Sequence, residues 1–588
     1  MDSKHVTEST SGQEDIQKTW WKEAIIYQIY PRSFQDSDGD GIGDLNGITS
    51  RLDYIQSLGV DIIWLNPIFL SPNDDNGYDI SDYREIMREF GTMEDFDRLL
   101  KEIHKREMRL VLDLVVNHTS DEHPWFEEAR KSRHNPYYNY YHWWPAEKGE
   151  PPLRLSYFDE EGNAWMYNKS TDSYYLHYFS RKQPDLNWEN PEVRQEIFDM
   201  MRFWFDKGID GFRMDSISLI AKDPSFPFID SKKYPDIFSF YAKEPRLHLY
   251  LHEMNRQVLS KYDCMSVGEG SAVMVDDVAK FVDPAREELN MLYHFDAARI
   301  RNTTLPDNPE SGIDYSLIAL KKMFTEWDKA VDKGWPSIYL GNHDQPRMVS
   351  RFGSDKDEFR ALSAKMLITF LLTMRGTPYW FAGDEIGMRN IRFDRIEDYN
   401  DIDTINRYKK AKAEGKDPQA VLDEQKETGR DNARTPFQWD RSPEAGFTAG
   451  TPWLKVNPDY TWINVADEEK DPTSILNYFK KVVSFRKENP SLIYGSYHLL
   501  DAENPQSYTF LRKTGADTYL IMLNFSPKAA ISTPGIDMSN THVLLDNYGD
   551  RSHMAPQKDI TLRPFEAIVF QLNHPVYESF IDSLDLLE

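Results

Sequence analysis

Cysteine is almost absent: Cys264 stands alone in 588 residues, so no internal disulfide can form, as suits a reducing compartment. No run of eighteen apolar residues occurs, so no helix that could span a bilayer is expected. The opening "MDSKHVTESTSGQEDIQKTW" has no apolar stretch, so no signal peptide is expected and a cytoplasmic setting follows. Basic residues are also scarce, 69 against 97 acidic, for a net charge of −28. That balance argues against nucleic acid and against an anionic membrane, and fits a small neutral or cationic ligand. No internal repeat is visible. Aromatic residues, by contrast, make up 13% of the chain, and flat rings suit the C–H faces of sugars as well as an ordinary core.

The length calls for one large domain and at least one smaller one. Eight short apolar runs predict strands: 24–34, 61–68, 109–118, 208–215, 264–270, 291–296, 337–344 and 377–387. Helical patterns at 48–59, 92–106, 191–207 and 358–373 lie between them, the first placing Ile48, Leu52, Ile55 and Leu58 on one face and ending at Gly59. Continuous rather than alternating apolar strands, separated by helices, indicate parallel strands covered on both faces, and eight of them a (β/α)8 barrel of the α/β class. The expected layout is a barrel over 18–118 and 189–496, a small inserted domain over 119–188, and an all-β C-terminal sandwich over 497–575. Residues 1–17 and 576–588 read as terminal extensions, with an amphipathic terminal helix in "YESFIDSLDLLE".

The stretch "DSDGDGIGDL" puts Asp36, Asp38, Asp40 and Asp44 at alternate positions, with the backbone oxygen of Ile42 in the same series. Unpaired carboxylates this close repel one another, so the loop is either a solvated acidic turn or a seat for a hard cation. The order matches the first part of an EF-hand loop, but the twelfth position is Gly47, followed by Ile48, and no glutamate stands there.

In a barrel the C-terminal strand ends build the active site. Here the third ends in Asp113, Asn117 and His118, the fourth in Arg213 and Asp215, the fifth in Glu269, and the seventh in His343 and Asp344. Any one of these could be structural; four strand ends of this kind together are hard to dismiss. A pair of carboxylates with a third nearby is what retaining glycoside hydrolysis requires, one as nucleophile and one as acid/base. Arg213, two residues before Asp215, points to the same face and can keep a nucleophile ionised.

"DLVVNH", "DGFRMD", "VGEG" and "GNHD", in that order, resemble the four signature regions of the α-amylase superfamily, glycoside hydrolase family 13. "QPDLNW", "NDDNGYDISDY" and "GRDNARTPFQW" resemble its oligo-1,6-glucosidase and α-glucosidase branch. The similarity runs from about Trp20 to about residue 572. The resemblance implies Asp215 as nucleophile, Glu269 as acid/base and Asp344 as the carboxylate that grips the sugar hydroxyls. It implies that His118, Arg213 and His343 bind the glucose, that Tyr78 is its stacking platform, and that Phe179 and Gln183 line the same pocket. Asp75 and Arg430 would close the pocket floor, so that single glucose units leave from the non-reducing end of a neutral disaccharide or oligosaccharide. It implies a structural Ca²⁺, with Mg²⁺ able to substitute, on Asp36, Asp38, Asp40, Ile42 and Asp44, and no organic cofactor. Glu385 and the "RFDRIEDY" stretch are candidates for the leaving-group side, the latter reading equally well as solvated surface. Ser216 after the nucleophile leans toward α-1,4 or mixed linkage, while the motif wording leans toward α-1,6. The alternatives are a sucrose isomerase, a group that carries an arginine-rich loop to which this chain's "AARIRNTT" with Arg299 and Arg301 is a poor match, and a transglucosidase. A non-catalytic relative of transporter heavy chains is distant, since all three carboxylates are present. A monomer or weak oligomer is expected.

Overall fold

The computed structural model describes residues 18–572, apart from 159–161, 231, 235–237, 516, 537, 539–540 and 552–557. All eight expected strands form, as β1 (Ile26–Ile29), β2 (Ile62–Leu65), β3 (Arg109–Val115), β4 (Gly211–Asp215), β5 (Met265–Glu269), β6 (Met291–Tyr293), β7 (Ser337–Ile338) and β8 (Thr377–Phe381). They lie in one parallel sheet in the order β6-β5-β4-β3-β2-β1-β8-β7. The seam between its ends is bridged by the Ser337 hydroxyl, which donates to the carbonyl of Leu292 at 2.9 Å. The chain is therefore a (β/α)8 barrel whose strands are covered on both faces, which is why their side chains are apolar without alternation. The strands are shorter than expected: Asn117, His118, His343 and Asp344 lie past the ladder, while Asp215 and Glu269 are its last rungs.

The helices follow from local chemistry. Met93–Lys105 starts with a reciprocal capping box between Thr92 and Asp95 and buries Phe96, Leu99, Leu100 and Ile103, one face at helical spacing. Pro191–Lys207 is capped by Asn190 and stops at Gly208 in the left-handed region, φ +108°. The predicted 48–59 helix is instead two short ones, Leu45–Ser50 and Leu52–Ser57, broken at Arg51. Its four face residues are nonetheless fully buried, because the break leaves both pieces on the same side of the barrel. Arg360–Thr373 is buried almost all round, packing on Ile475–Glu488 and on the C-terminal sheet.

Between β3 and the helix at 191 the inserted segment carries a three-stranded antiparallel sheet, Trp143–Pro145, Trp165–Asn168 and Ser173–Leu176. Beyond the barrel, β9 (Ser496–Leu500), β10 (Ser507–Thr514), β11 (Asp517–Asn524), β12 (Thr541–Asp546) and β13 (Ala567–Leu572) form an antiparallel sheet in the order β9-β10-β11-β13-β12. Ala530–Ser532 pairs separately with Ile560–Leu562. Two fully buried arginines stand at the junction with the barrel: Arg512 of β10 joins this domain to it by donating to the carbonyls of Thr373 and Leu492, and Arg486 of the Ile475–Glu488 helix donates to those of Leu372 and Met374. They satisfy orphan carbonyls at the C-terminal end of the 360–373 helix. Helices at Ile402–Ala413 and Pro418–Thr428 had no sequence expectation; they are largely polar and lie at the rim of the barrel mouth. No helix among the described residues is long and apolar enough to cross a membrane. The "YESFIDSLDLLE" helix expected at the C-terminus lies outside the described residues.

Candidate active site

Register brings the strand-end residues together. Asp113 on β3 is level with Arg213 on β4, and Glu269 on β5 is level with Tyr293 on β6. Gly268 allows this approach, since a Cβ there would stand 2.9 Å from the Ile217 side chain, two residues past the nucleophile. Arg213 is buried at the centre. Its Nη1 donates to Asp113 and to Asp215, each at 2.7 Å. Its Nη2 pairs with Glu269, and its Nε donates to the Tyr293 hydroxyl at 2.8 Å. Glu269 further accepts from the Ser271 hydroxyl at 2.8 Å.

Three buried carboxylates around one guanidinium cannot all stay ionised at low cost. Burial, opposed by Arg213 and reinforced by the charge of Asp215, pushes Glu269 up to about 8. Asp215 rises only to about 6, because burial is offset there by the Arg213 charge. The shared proton therefore sits on Glu269, so near neutrality one carboxyl is an acid and its neighbour a base. Both carboxylates reach the one guanidinium of Arg213, which fits the short spacing of a retaining pair, about 5–5.5 Å, better than the wider gap that admits a water between them.

Beside this pair stands Tyr78, its ring stacked on His343 with centroids 5.3 Å apart and 8° between planes. The Tyr78 hydroxyl donates to Asp113 at 2.9 Å and lies 2.6 Å from His343 Nε2, while Gln28 meets His343 Nδ1 at 2.8 Å. Burial pushes the His343 imidazole down to about 3, leaving it neutral. For Asp344, burial is outweighed by His343, Arg430 and Arg434, which hold it well below the usual carboxylate range. Arg434 donates to Asp344 at 2.7 Å, and Arg430 stands 3.2 Å from it. Arg430 also reaches Asp75 at 3.3 Å and Asp401 at 2.7 Å, closing the floor of the pocket. Gln183 donates to Asp75 at 3.2 Å and borders His118, against which Phe179 packs at 5.1 Å between ring centroids.

Asp215, Glu269, Asp344, Asp75, Tyr78, His118, Phe179, Gln183, Arg213, His343 and Arg430 thus form one connected cluster. Glu385 is not part of it. Its carboxylate is fully buried and accepts from the hydroxyls of Tyr27 at 2.6 Å and Tyr54 at 2.8 Å and from the amide of Gly383, so it is turned into the packing beneath the barrel rim. In the "RFDRIEDY" stretch Phe393 and Tyr399 are buried while Arg392 pairs with Asp355 and Glu427; it is packed rather than simply solvated. Asn66, Tyr293, Asp401 and Arg434 join the site without having been singled out, although Arg434 lies inside "GRDNARTPFQW".

In the acidic loop, Asp36, Asp38 and Asp40 offer oxygens that all lie within 4.8 Å of one another. Among the described residues no lysine or arginine pairs with them, and burial and the charges of Asp38, Asp36 and Asp44 raise the Asp40 carboxyl. Three hard oxygen donors without a countercharge fit Ca²⁺ or Mg²⁺. Asp44 faces elsewhere: it caps the Leu45–Ser50 helix through Gly47 N at 2.7 Å and accepts from Ser37. The Ile42 amide donates to Asp40 at 2.8 Å.

The family description for the α-amylase catalytic domain matches residues 28–495. The chain belongs to the α-amylase family. It is 51% identical to an oligo-1,6-glucosidase of Parageobacillus thermoglucosidasius over 95% of this chain and all of that one. It is 43% identical to an α-glucosidase of Pediococcus pentosaceus over 94% of this chain and 99% of that one. Among solved structures, the isomaltulose synthase of Klebsiella sp. LX3 superposes with a TM-score of 0.89 at 42% identity, covering 95% of this chain and all of the other.

The ionisation pattern sets a pH dependence. kcat/KM should fall below about pH 6, where Asp215 takes up a proton, and above about pH 8, where Glu269 loses one. A pH–rate profile measured from 4.5 to 9.5 checks this, and a plateau without an alkaline limb would contradict Glu269 as the acid.

Proposed function

We propose that this family member is a retaining, exo-acting α-glucosidase of the oligo-1,6-glucosidase type. It would release glucose from the non-reducing end of short neutral α-glucosides. The observation that carries the reading is the single guanidinium of Arg213 bonded at once to Asp215 and Glu269. Asp215 attacks the anomeric carbon while Glu269 gives its proton to the departing oxygen, and the C1–O bond to the leaving group breaks as the bond to Asp215 forms. Water then displaces Asp215, giving its proton back to Glu269. Asp344, held ionised, grips the hydroxyls and faces the positive charge that develops on the ring. The Asp75–Arg430 floor supports exo action, because a chain cannot continue past the bound glucose. The acidic charge and the lone cysteine support a cytoplasmic setting.

Similarity to isomaltulose and trehalulose synthases supports a second reading, sucrose isomerisation. Against it, Arg299 and Arg301 sit on the helix Asp296–Thr303, where Arg299 pairs with Asp296 and Arg301 with Asp314. Early products from maltose, isomaltose and sucrose in parallel decide between these. Glucose appearing fastest from isomaltose is the expected result; glucose fastest from maltose would make Ser216 the better guide to linkage, and isomaltulose or trehalulose from sucrose would favour the isomerase.

We further propose that Asp36, Asp38 and Asp40, with the Ile42 carbonyl and Asp44 drawn in, hold a structural Ca²⁺ far from the reacting bond. Metal-loaded protein should melt several degrees lower after chelation and recover with Ca²⁺; an unmoved midpoint together with a metal-free elemental analysis would end this assignment.

A further inference from the structure

Behind His118 lies a charged group that makes no contact with the pocket. Lys222, in the turn that follows β4, is buried; it donates to Asn117 Oδ1 at 2.7 Å and to the carbonyl of Leu219 at 2.7 Å, and forms an ion pair with the carboxylate of Asp185 at 3.0 Å. An ammonium has donors and no acceptor, so whatever it touches must present a lone pair. The amide oxygen of Asn117 is thereby fixed toward Lys222, and its nitrogen toward His118 Nδ1, 3.2 Å away. An amide nitrogen can only donate, so Nδ1 must be bare. The single proton of a neutral imidazole then lies on Nε2, where it donates to the carbonyl of Tyr78 at 3.0 Å; the Gln183 amide nitrogen, 3.2 Å from Nε2, gives its own protons to Asp75 at 3.2 Å and to the Tyr78 carbonyl at 3.4 Å.

The geometry points to Lys222 as a positioning residue that, through Asn117, holds His118 in the Nε2–H tautomer and so keeps a donor on the backbone carbonyl of Tyr78 at the edge of the pocket. This rests on the α-glucosidase reading, in which His118 binds the glucose. The charged groups facing His118 are Lys222 and Asp185 from the segments packed behind it, and Asp75, reached through Gln183. Burial pushes the imidazole down to about 4, so it stays neutral throughout the working range and its tautomer is what matters.

Asn117→Asp tests this while keeping the Lys222 bond. A carboxylate accepts from Lys222 as well as the amide did, but it also accepts from Nδ1 and draws a proton there. At low pH the variant's His118 is doubly protonated and still donates from Nε2. As pH rises, Nε2 is the nitrogen that loses its proton. The variant's alkaline limb in kcat/KM should therefore move at least one pH unit below that of the wild type, with activity at pH 7.5 reduced about tenfold for the lost donor. A limb at the wild-type position, whatever the overall rate, would overturn the proposal, since a purely structural role leaves the profile unmoved. If the variant does not fold, ¹⁵N-histidine spectra of the wild type decide the matter. The resonances lost in His118→Gln should report Nε2–H, and Nδ1–H would overturn the assignment. A wild type inactive on isomaltose and maltose alike would refute the hydrolase reading itself, whereas an active wild type with an unmoved variant limb would refute only this role for Lys222.

Discussion

The site depends on one buried guanidinium. Arg213 is the common partner of Asp113, Asp215 and Glu269, and one positive charge cannot satisfy three negative ones in a place water barely reaches. A proton must stay, and the local balance decides where. Asp215 shares the Nη1 that also serves Asp113, while Glu269 sits under the field of Asp215 and keeps the proton. The division of labour between nucleophile and acid is thus a consequence of charge counting in a dry cavity. Removing the arginine would lose more than a substrate contact, because both carboxyls would tend toward the neutral form.

A second charge cluster faces the first across the pocket and is closer to balance. Arg430 and Arg434 surround Asp344, Asp75 and Asp401, and Asp344 is held ionised with two guanidiniums beside it. The two clusters are joined by the neutral relay of Tyr78 and His343. A sugar entering the cavity meets a protonated acid on one side and a fixed carboxylate on the other, with the Tyr78 ring as an apolar wall between them. Such preorganised charge is worth most where water is excluded.

Much of this was legible in the sequence, for a physical reason. Strands covered on both faces must be apolar, so a polar residue at the end of such a run, as at Asp113, Asp215, Glu269 and Asp344, marks the point where the chain leaves the barrel wall for the mouth. Glu385 carries the same signal after β8 and misleads. Gly383, at φ +101°, turns the chain so that the carboxylate points back at Tyr27 and Tyr54, and nothing local reports the presence of two distant tyrosine hydroxyls. Asp401 and Arg434 were hidden because they reach the pocket from the rim segments beyond β8, where polar composition reads as solvent-facing surface. Lys222 reads as an ordinary end of a turn; its role is set by Asp185 and Asn117, 37 and 105 residues away in sequence. Asp44 fits the alternating spacing of the acidic loop, yet it also opens a helix, and the cap takes its oxygens.

The stereochemical course of the reaction tests the account most directly. An aryl α-glucoside releases a single glucose, whose anomer can be read by proton NMR in the first minutes, before mutarotation. The pairing of Asp215 and Glu269 with one arginine predicts α-glucose as the first product, through two displacements at the same carbon. β-Glucose appearing first would mean a single displacement by water, and would contradict the roles given to both carboxylates.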